Sequence, residues 1–438
     1  MSADSRHLSL TVSAAAPGWV ADVLPGYEAL TLPLLPDDEG EVVATLVRRR
    51  ARGAGQVGER AYTASPANTP PTAYPVGSWW NRGWQHLARG YEAGKTRRAP
   101  TPADDHHDSR VAAPDAGVDV LYIHGWVDYF HQEHVADFFE SLGARFYALD
   151  LRKYGRSLRE HQKPGFIADL KTYDEEIEAA LAVMGHRFAR LPRRSESDLA
   201  PPGAVPASRA ARPAKVLARG LRARGASSSG GKKQRQLVLL GHSTGGLVLA
   251  LWASRNPGRA DALILNAPWL EFQTRSIGRK VLEAPVRAQA ALAPRSPIVN
   301  PDQGFYARTL SARLEGEWNY NEAWRPDRSW TPTPAWLAAV FAGHEAVAQG
   351  LGITVPIMVL ISARSILPLR WSPELHDVDQ VLNVPETVRR VPNLGSLVTL
   401  AKFEGALHDV FLSREPVRNA ALNEVARWLR GYVLQGDL

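Results

Sequence analysis

A short apolar run, Leu237-Val238-Leu239-Leu240, leads without a break into Gly241-His242-Ser243-Thr244-Gly245 and then into Gly246-Leu247-Val248-Leu249-Ala250. The first run suits a strand, Gln236 to Leu240, buried on both faces. The last suits a helix over Thr244–Arg255, ended by Asn256-Pro257. A strand that becomes a helix within one turn has no room for side chains at Gly241 and Gly245. It holds Ser243 between them in a strained conformation, with its hydroxyl projecting above the sheet. The helix N-terminus then lies under any negative charge formed there. Read instead as a glycine-rich β–α turn with a capping serine, the same residues would carry no chemistry.

The flanking rhythm repeats that unit. Val118–Ile123, Arg145–Leu149, Ala262–Asn266, Val355–Ile361 and Leu397–Phe403 are further short apolar runs. Helices are expected around His131–Leu142 and over Pro416–Leu434. Another is expected where Leu170, Tyr173, Ile177, Leu181 and Met184 recur every three or four residues. Strands alternating with helices predict a mostly parallel, doubly wound α/β sheet covered on both faces. At 438 residues with 45% hydrophobic and 22% charged side chains, the chain has the composition of a packed globule with insertions. No internal repeat is visible.

The expected division follows these changes of rhythm. Residues 1–50 carry a hairpin, Tyr27–Leu35 and Val42–Val47 around Pro36-Asp37-Asp38-Glu39-Gly40. Residues 51–117 form an irregular excursion. Residues 118–267 form the first half of the core, 268–352 a Trp- and Pro-rich insertion, and 353–438 the second half. The net charge of +7 is local, because 187–235 holds 13 Lys/Arg against 2 Asp/Glu and the rest of the chain is net negative. That segment ends in Ser227-Ser228-Ser229-Gly230-Gly231 and offers few large apolar groups, so it reads as a disordered insertion. Its lone aromatic, Phe188, is too little for base stacking, so no nucleic-acid partner is expected. Contact with an anionic membrane surface through it is the lesser reading.

A serine hydroxyl needs a base, and the base needs a carboxylate. His408 follows the last core strand, at the carboxyl edge where sites of such sheets collect. The acid is expected after Val355–Ile361. Asp379 leads because it precedes a short apolar pair, Asp377 is the alternative, and Glu374 is third. An oxyanion would be met by two backbone N–H groups. One belongs to Thr244, the other to Trp126 after His124-Gly125 at the end of the first core strand. The absence of cysteine excludes a thiol nucleophile, disulfides and thiolate metal ligands. The densest remaining ligand group, His106 and His107 with Asp104, Asp105 and Asp108, reads as a solvated loop, so neither metal nor cofactor is expected.

These residues resemble the α/β-hydrolase superfamily, and most closely the monoglyceride lipase, lysophospholipase and serine aminopeptidase group. The likeness is carried by Tyr122-Ile123-His124-Gly125, Asp150-Leu151-Arg152-Lys153-Tyr154-Gly155-Arg156-Ser157, Gly241-His242-Ser243-Thr244-Gly245-Gly246 and His408, and by the order Ser243, Asp379, His408. It spans Val118 to Leu434, minus the basic insertion and most of Trp269–Gly350. It implies an α/β-hydrolase fold with an inserted lid or cap subdomain over 268–352. It also implies a serine hydrolase that cleaves a small or lipid-like carboxylic ester, such as a monoacylglycerol or lysophospholipid, through an acyl-enzyme on Ser243. An aminopeptidase or amidase, an acyltransferase, and a catalytically silent binding protein are the alternatives on the same fold. Lys153 occupies a position where glycine is usual in such a loop. Two departures stand out: Trp126-Val127 replace small residues, which narrows the acyl side of the pocket, and the acid loop lacks the usual short strand-Gly-x-x-Asp arrangement. The aromatic residues Trp269, Trp318, Trp324, Trp330, Trp336, Phe305, Tyr306 and Tyr320 either line an apolar pocket or pack the insertion. No signal peptide or 18-residue apolar run is apparent, so the chain reads as cytoplasmic.

Overall fold

The computed structural model describes residues 18–50, 115–186, 235–273 and 275–434. The cluster around His106, almost all of the basic segment and most of the 51–117 excursion lie outside the described residues.

β1 (Val20–Ala21), β2 (Tyr27–Asp37) and β3 (Gly40–Arg49) pair antiparallel, with β2 and β3 joined by the tight turn at Asp38-Glu39. β4 (Val118–Ile123), β5 (Arg145–Asp150), β6 (Gln236–His242), β7 (Ala262–Asn266), β8 (Ile357–Ser362) and β9 (Val398–Phe403) are parallel to one another. The nine strands lie in the order β1-β2-β3-β5-β4-β6-β7-β8-β9. From β4 the chain first builds outward to β5 and then returns to lay β6 on the other flank. The order therefore reverses at β4 and β6, and their carboxyl ends flank the crevice such a reversal leaves open.

The strands alternate their side chains between two cores. Leu121, Ile123, Leu237, Leu239, Leu263 and Val359 face one side. There they pack on α2 (Asp174–Met184), α3 (Thr244–Arg255) and α6 (Pro334–Gln349). Val120, Tyr122, Val238, Leu240, Ile264 and Leu360 face the other, against α1 (Glu133–Ser141) and α8 (Glu415–Tyr432). Leu170, Tyr173, Ile177, Leu181 and Met184 all enter the first core, although the first turn, Leu170–Tyr173, is a 3-10 turn. The α/β-hydrolase fold with a mostly parallel sheet is thus the architecture of the chain.

The rhythm that lapses between β7 and β8 in the sequence hides three helices: α4 (Arg275–Leu292), α5 (Phe305–Leu310) and α6. α6 shows no clean apolar stripe because Trp336, Val340, Phe341, Gly343, His344 and Val347 are all buried. α7 (Val384–Arg390) follows the acid loop.

Lys153 adopts φ 64°, the left-handed conformation that glycine takes without strain. Its fully buried amine pairs with Asp37 at 2.6 Å and also with Glu39, both at the β2–β3 turn. An ion pair to the hairpin thus accompanies the backbone strain at this departure from the family pattern. Among the described residues no helix is long and apolar enough to cross a membrane.

His344 has no exposure, and its Nε2–H donates to the carbonyl of Trp269, 2.9 Å away. Burial lowers its pKa from 6.5 to about 4. The unfolded chain therefore binds a proton near pH 6.5 that the folded chain refuses until near pH 4, and stability falls as pH drops through that window. The full effect is on the order of 3 kcal/mol. Denaturant melts at pH 7 and 4.5 should show a smaller loss of stability on acidification for His344→Gln than for the wild type.

Candidate active site

At the end of β6 the chain turns through Ser243 at φ 51° and ψ −117°. Close packing around the turn makes this conformation hold. A Cβ on Gly245 would lie 2.3 Å from the carbonyl oxygen of His124 and 2.5 Å from that of Ile123. The first turn of α3 therefore rides directly on the end of β4. A Cβ on Gly125 would come within 3.0 Å of Cβ of Ser243, so the loop after β4 passes beside the hydroxyl. The backbone of Ser243 is tied on both sides: its N–H donates to Asn266 at 3.0 Å, and its carbonyl accepts from Trp269 at 3.1 Å. The N–H groups of Trp126 and Thr244 belong to the two segments that meet here.

His408 lies in the loop after β9, and its Nε2 is 2.9 Å from Oγ of Ser243. Its Nδ1 is 2.9 Å from Oδ2 of Asp379. Oδ1 of Asp379 accepts the N–H groups of Val381 and Leu382, each at 2.8 Å, which fixes the carboxylate and leaves Oδ2 for the imidazole. Asp379 is fully buried. Asp377 is instead 44% exposed and lies 3.6 Å from Arg414, and Glu374 pairs with Arg364 at the surface. The two-residue shift between Asp377 and Asp379 thus separates a solvated charge from one that reaches the histidine.

The loop carrying His408 is pinned from below. Asn266, at the end of β7, donates Nδ2 to Asp409 at 2.6 Å and accepts the N–H of Val410 at 3.1 Å. The N–H of Asp409 donates to the hydroxyl of Tyr306, whose ring lies 5.7 Å from that of His408. His242 stands on the other flank, its ring 4.9 Å from His408. Burial lowers its pKa, which favours the neutral form of this ring. Sequence reasoning missed Asn266 and Asp409, and gave Tyr306 only as one aromatic of the Trp- and Pro-rich insertion. Only Asp409, next to His408, had a local signal.

Asp128, His242 and Asp409 each bring one ligand-type atom within 4.8 Å of the others. The donor set does not suit a metal ion. Arg325 already places a cation 3.1 Å from Asp128, and Asp409 is engaged by Asn266 and by the N–H of Phe411.

Tyr306, from the segment between β7 and β8, lies beside His408. Ser243 is 7% exposed and His408 3%. The Trp126 ring packs on Trp336 with centroids 3.9 Å apart and touches Tyr154 and Trp330 at about 6 Å. Trp269 in turn packs on Trp336. These aromatics pack on one another as part of the core that holds α3 and α6, whereas Trp318 is stacked on His134 with its indole N–H donating to the carbonyl of Leu412.

Residues 225–369 match the family model described as serine aminopeptidase, S33. That stretch contains Ser243 and stops short of Asp379 and His408. A monoacylglycerol lipase of Mycolicibacterium smegmatis is 23% identical over 316 residues, covering 71% of this chain and 87% of that one. Among solved structures, the monoacylglycerol lipase of Paleococcus ferrophilus matches with TM-score 0.47 and 15% identity, over 73% of this chain and 97% of that one. A soluble variant of the monoglyceride lipase from Saccharomyces cerevisiae, in complex with a substrate analog, matches with TM-score 0.46 and 13% identity, over 73% and 88%.

The burial contrast yields a direct check. Asp379→Asn should lower kcat for a short p-nitrophenyl ester by about 10³–10⁴-fold, by loss of the imidazole's correct tautomer. Asp377→Asn should leave the rate within about twofold of wild type, since a solvated charge is not coupled to the imidazole. Steady-state kinetics on the two purified variants decides.

Proposed function

We propose that this chain, an α/β-hydrolase-fold serine hydrolase resembling the monoacylglycerol lipase and serine aminopeptidase group, hydrolyses carboxylic esters through an acyl-enzyme on Ser243. The observation that carries the reading is the pair of 2.9 Å contacts linking Ser243, His408 and Asp379. Oγ of Ser243 attacks the carbonyl carbon as Nε2 of His408 takes its proton. Asp379 holds Nδ1–H and keeps the imidazole in the tautomer whose Nε2 is free to accept. The N–H groups of Trp126 and Thr244 meet the oxyanion, each donor typically worth about 3–4 kcal/mol of barrier. His408 then gives its proton to the leaving alcohol. Water, deprotonated by the same imidazole, attacks the acyl carbon, and the carboxylic acid leaves as Ser243 regains its proton.

The reading of the substrate class is supported by the aromatic side chains gathered around Trp126. The tryptophan cluster of Trp126, Trp269, Trp330 and Trp336 offers apolar surface to an acyl chain. The mycobacterial relative, a monoacylglycerol lipase, points the same way, to a monoacylglycerol or a similar lipid-like ester. A second reading, removal of an N-terminal residue from a peptide, is favoured by the description of the matching family model. A panel of monoacylglycerols, short esters and amino-acid amides separates the two by kcat/KM.

Ser243→Ala should retain the circular dichroism spectrum of the wild type while losing both ester turnover and labelling by a fluorophosphonate. Undiminished turnover in that variant would remove the proposal.

A further inference from the structure

The loop after β4 carries a second strained residue. Val127 adopts φ 51°, an uncommon conformation for a β-branched side chain, directly after Trp126 and before Asp128. Such a residue persists only where its surroundings over-determine it. Here the surroundings come from the insertion. The N–H of Asn321 donates to the hydroxyl of Tyr129 at 2.6 Å, and the Trp324 ring meets the Tyr129 ring edge-on at 5.1 Å. Tyr320 packs on His131 with ring centroids 5.5 Å apart. Arg325 places Nε 3.1 Å from Asp128, both side chains at 8% exposure or less.

The Asp128–Arg325 pair has no evident role in packing alone. Both oxygens of Asp128 lack an aligned hydrogen bond among the described residues, so the charge of Arg325 is its main compensation, with His131 at 3.6 Å. Burial opposes the charge on each partner, yet each keeps it: Asp128 lies well below and Arg325 above its ordinary pKa, because of the other. A buried pair of this kind adds little net stability but costs much when one partner is removed. Arg325 also lies over the ring of Tyr306, which receives the N–H of Asp409 beside His408. One guanidinium therefore touches the supports of both the loop of Trp126 and the loop of His408.

We infer that residues 320–325 clamp the 126–131 loop in its strained form, and that Arg325 is a positioning residue for the backbone N–H of Trp126. The inference rests on the reading of Ser243 as the nucleophile. The clamp acts when the oxyanion forms, so its loss lowers the rate of the chemical step and leaves ground-state binding largely alone. It also couples the seating of the insertion to reactivity, because the N–H is in place only while 320–325 is docked.

The test uses the full chain and two reactions that each build negative charge on an oxygen facing the N–H of Trp126: the carbonyl oxygen in hydrolysis of a short p-nitrophenyl ester and the phosphoryl oxygen in phosphonylation by a fluorophosphonate. Arg325→Met should lower kcat and the phosphonylation rate together, by roughly ten- to a hundredfold per folded molecule, with KM within about twofold. Arg325→Lys should recover part of the loss. Arg295→Ala removes another ion pair between the insertion and the core, that to Asp38 at the β2–β3 turn, and should change neither rate. If Arg325→Met does not fold, Arg325→Lys and Tyr129→Phe, which removes the acceptor of the Asn321 N–H, carry the question and should both slow the two reactions. Folded variants with both rates at the wild-type level per molecule would overturn the clamp. A wild type that the fluorophosphonate never labels would instead remove the serine hydrolase reading itself.

Discussion

The contact between the first turn of α3 and the last carbonyls of β4 governs the rest of the structure. Gly245 sits where any Cβ would collide with two backbone oxygens, so strand and helix approach as closely as a peptide chain permits. That closeness makes Ser243 adopt a positive φ, which lifts its side chain off the sheet into the crevice opened by the reversal of strand order. The same approach brings the loop of Gly125 alongside the hydroxyl. The site is assembled by backbone geometry before any charged side chain contributes.

Around this frame the buried charges fall into two groups with different partners. Asp379 is held by two backbone N–H groups and faces a single imidazole. Asp128 has no such donors and depends on Arg325, brought in from a region of the chain almost two hundred residues away. The first arrangement is complete within the core. The second is complete only when the insertion is in place, and so it joins the covering of the crevice to the shape of the loop beneath. Lys153 shows the same economy beneath the β2–β3 turn, where a strained backbone is accompanied by a buried ion pair to Asp37 and Glu39.

Residues whose neighbours are local could be read from their order along the chain. Leu237–Leu240 followed by the glycine-flanked serine needs no distant partner to imply a strand, a tight turn and a helix, and α3 spans Thr244–Arg255 accordingly. Ser243 and His408 stand out because each follows an apolar run of the parallel sheet. The acid was harder. Asp377 and Asp379 lie in one loop with similar flanks, and what separates them is burial and the N–H groups of Val381 and Leu382. The helices of the insertion were hidden for a different reason. α6 is covered on so many sides that its apolar residues form no stripe.

What the amino-acid order determined by itself was the α/β alternation, the elbow around Ser243 and the set of side chains from which a reactive group can be drawn, because hydrophobic period and turn chemistry act over a few residues. What only the tertiary structure decided was which carboxylate meets His408, how Lys153 and Val127 hold backbone conformations unfavourable to them, and that Arg325 stands beside Asp128. Those outcomes depend on dielectric, on distance and on hydrogen-bond donors supplied from remote parts of the chain, and they come into being only when the sheet and its insertion close around one another.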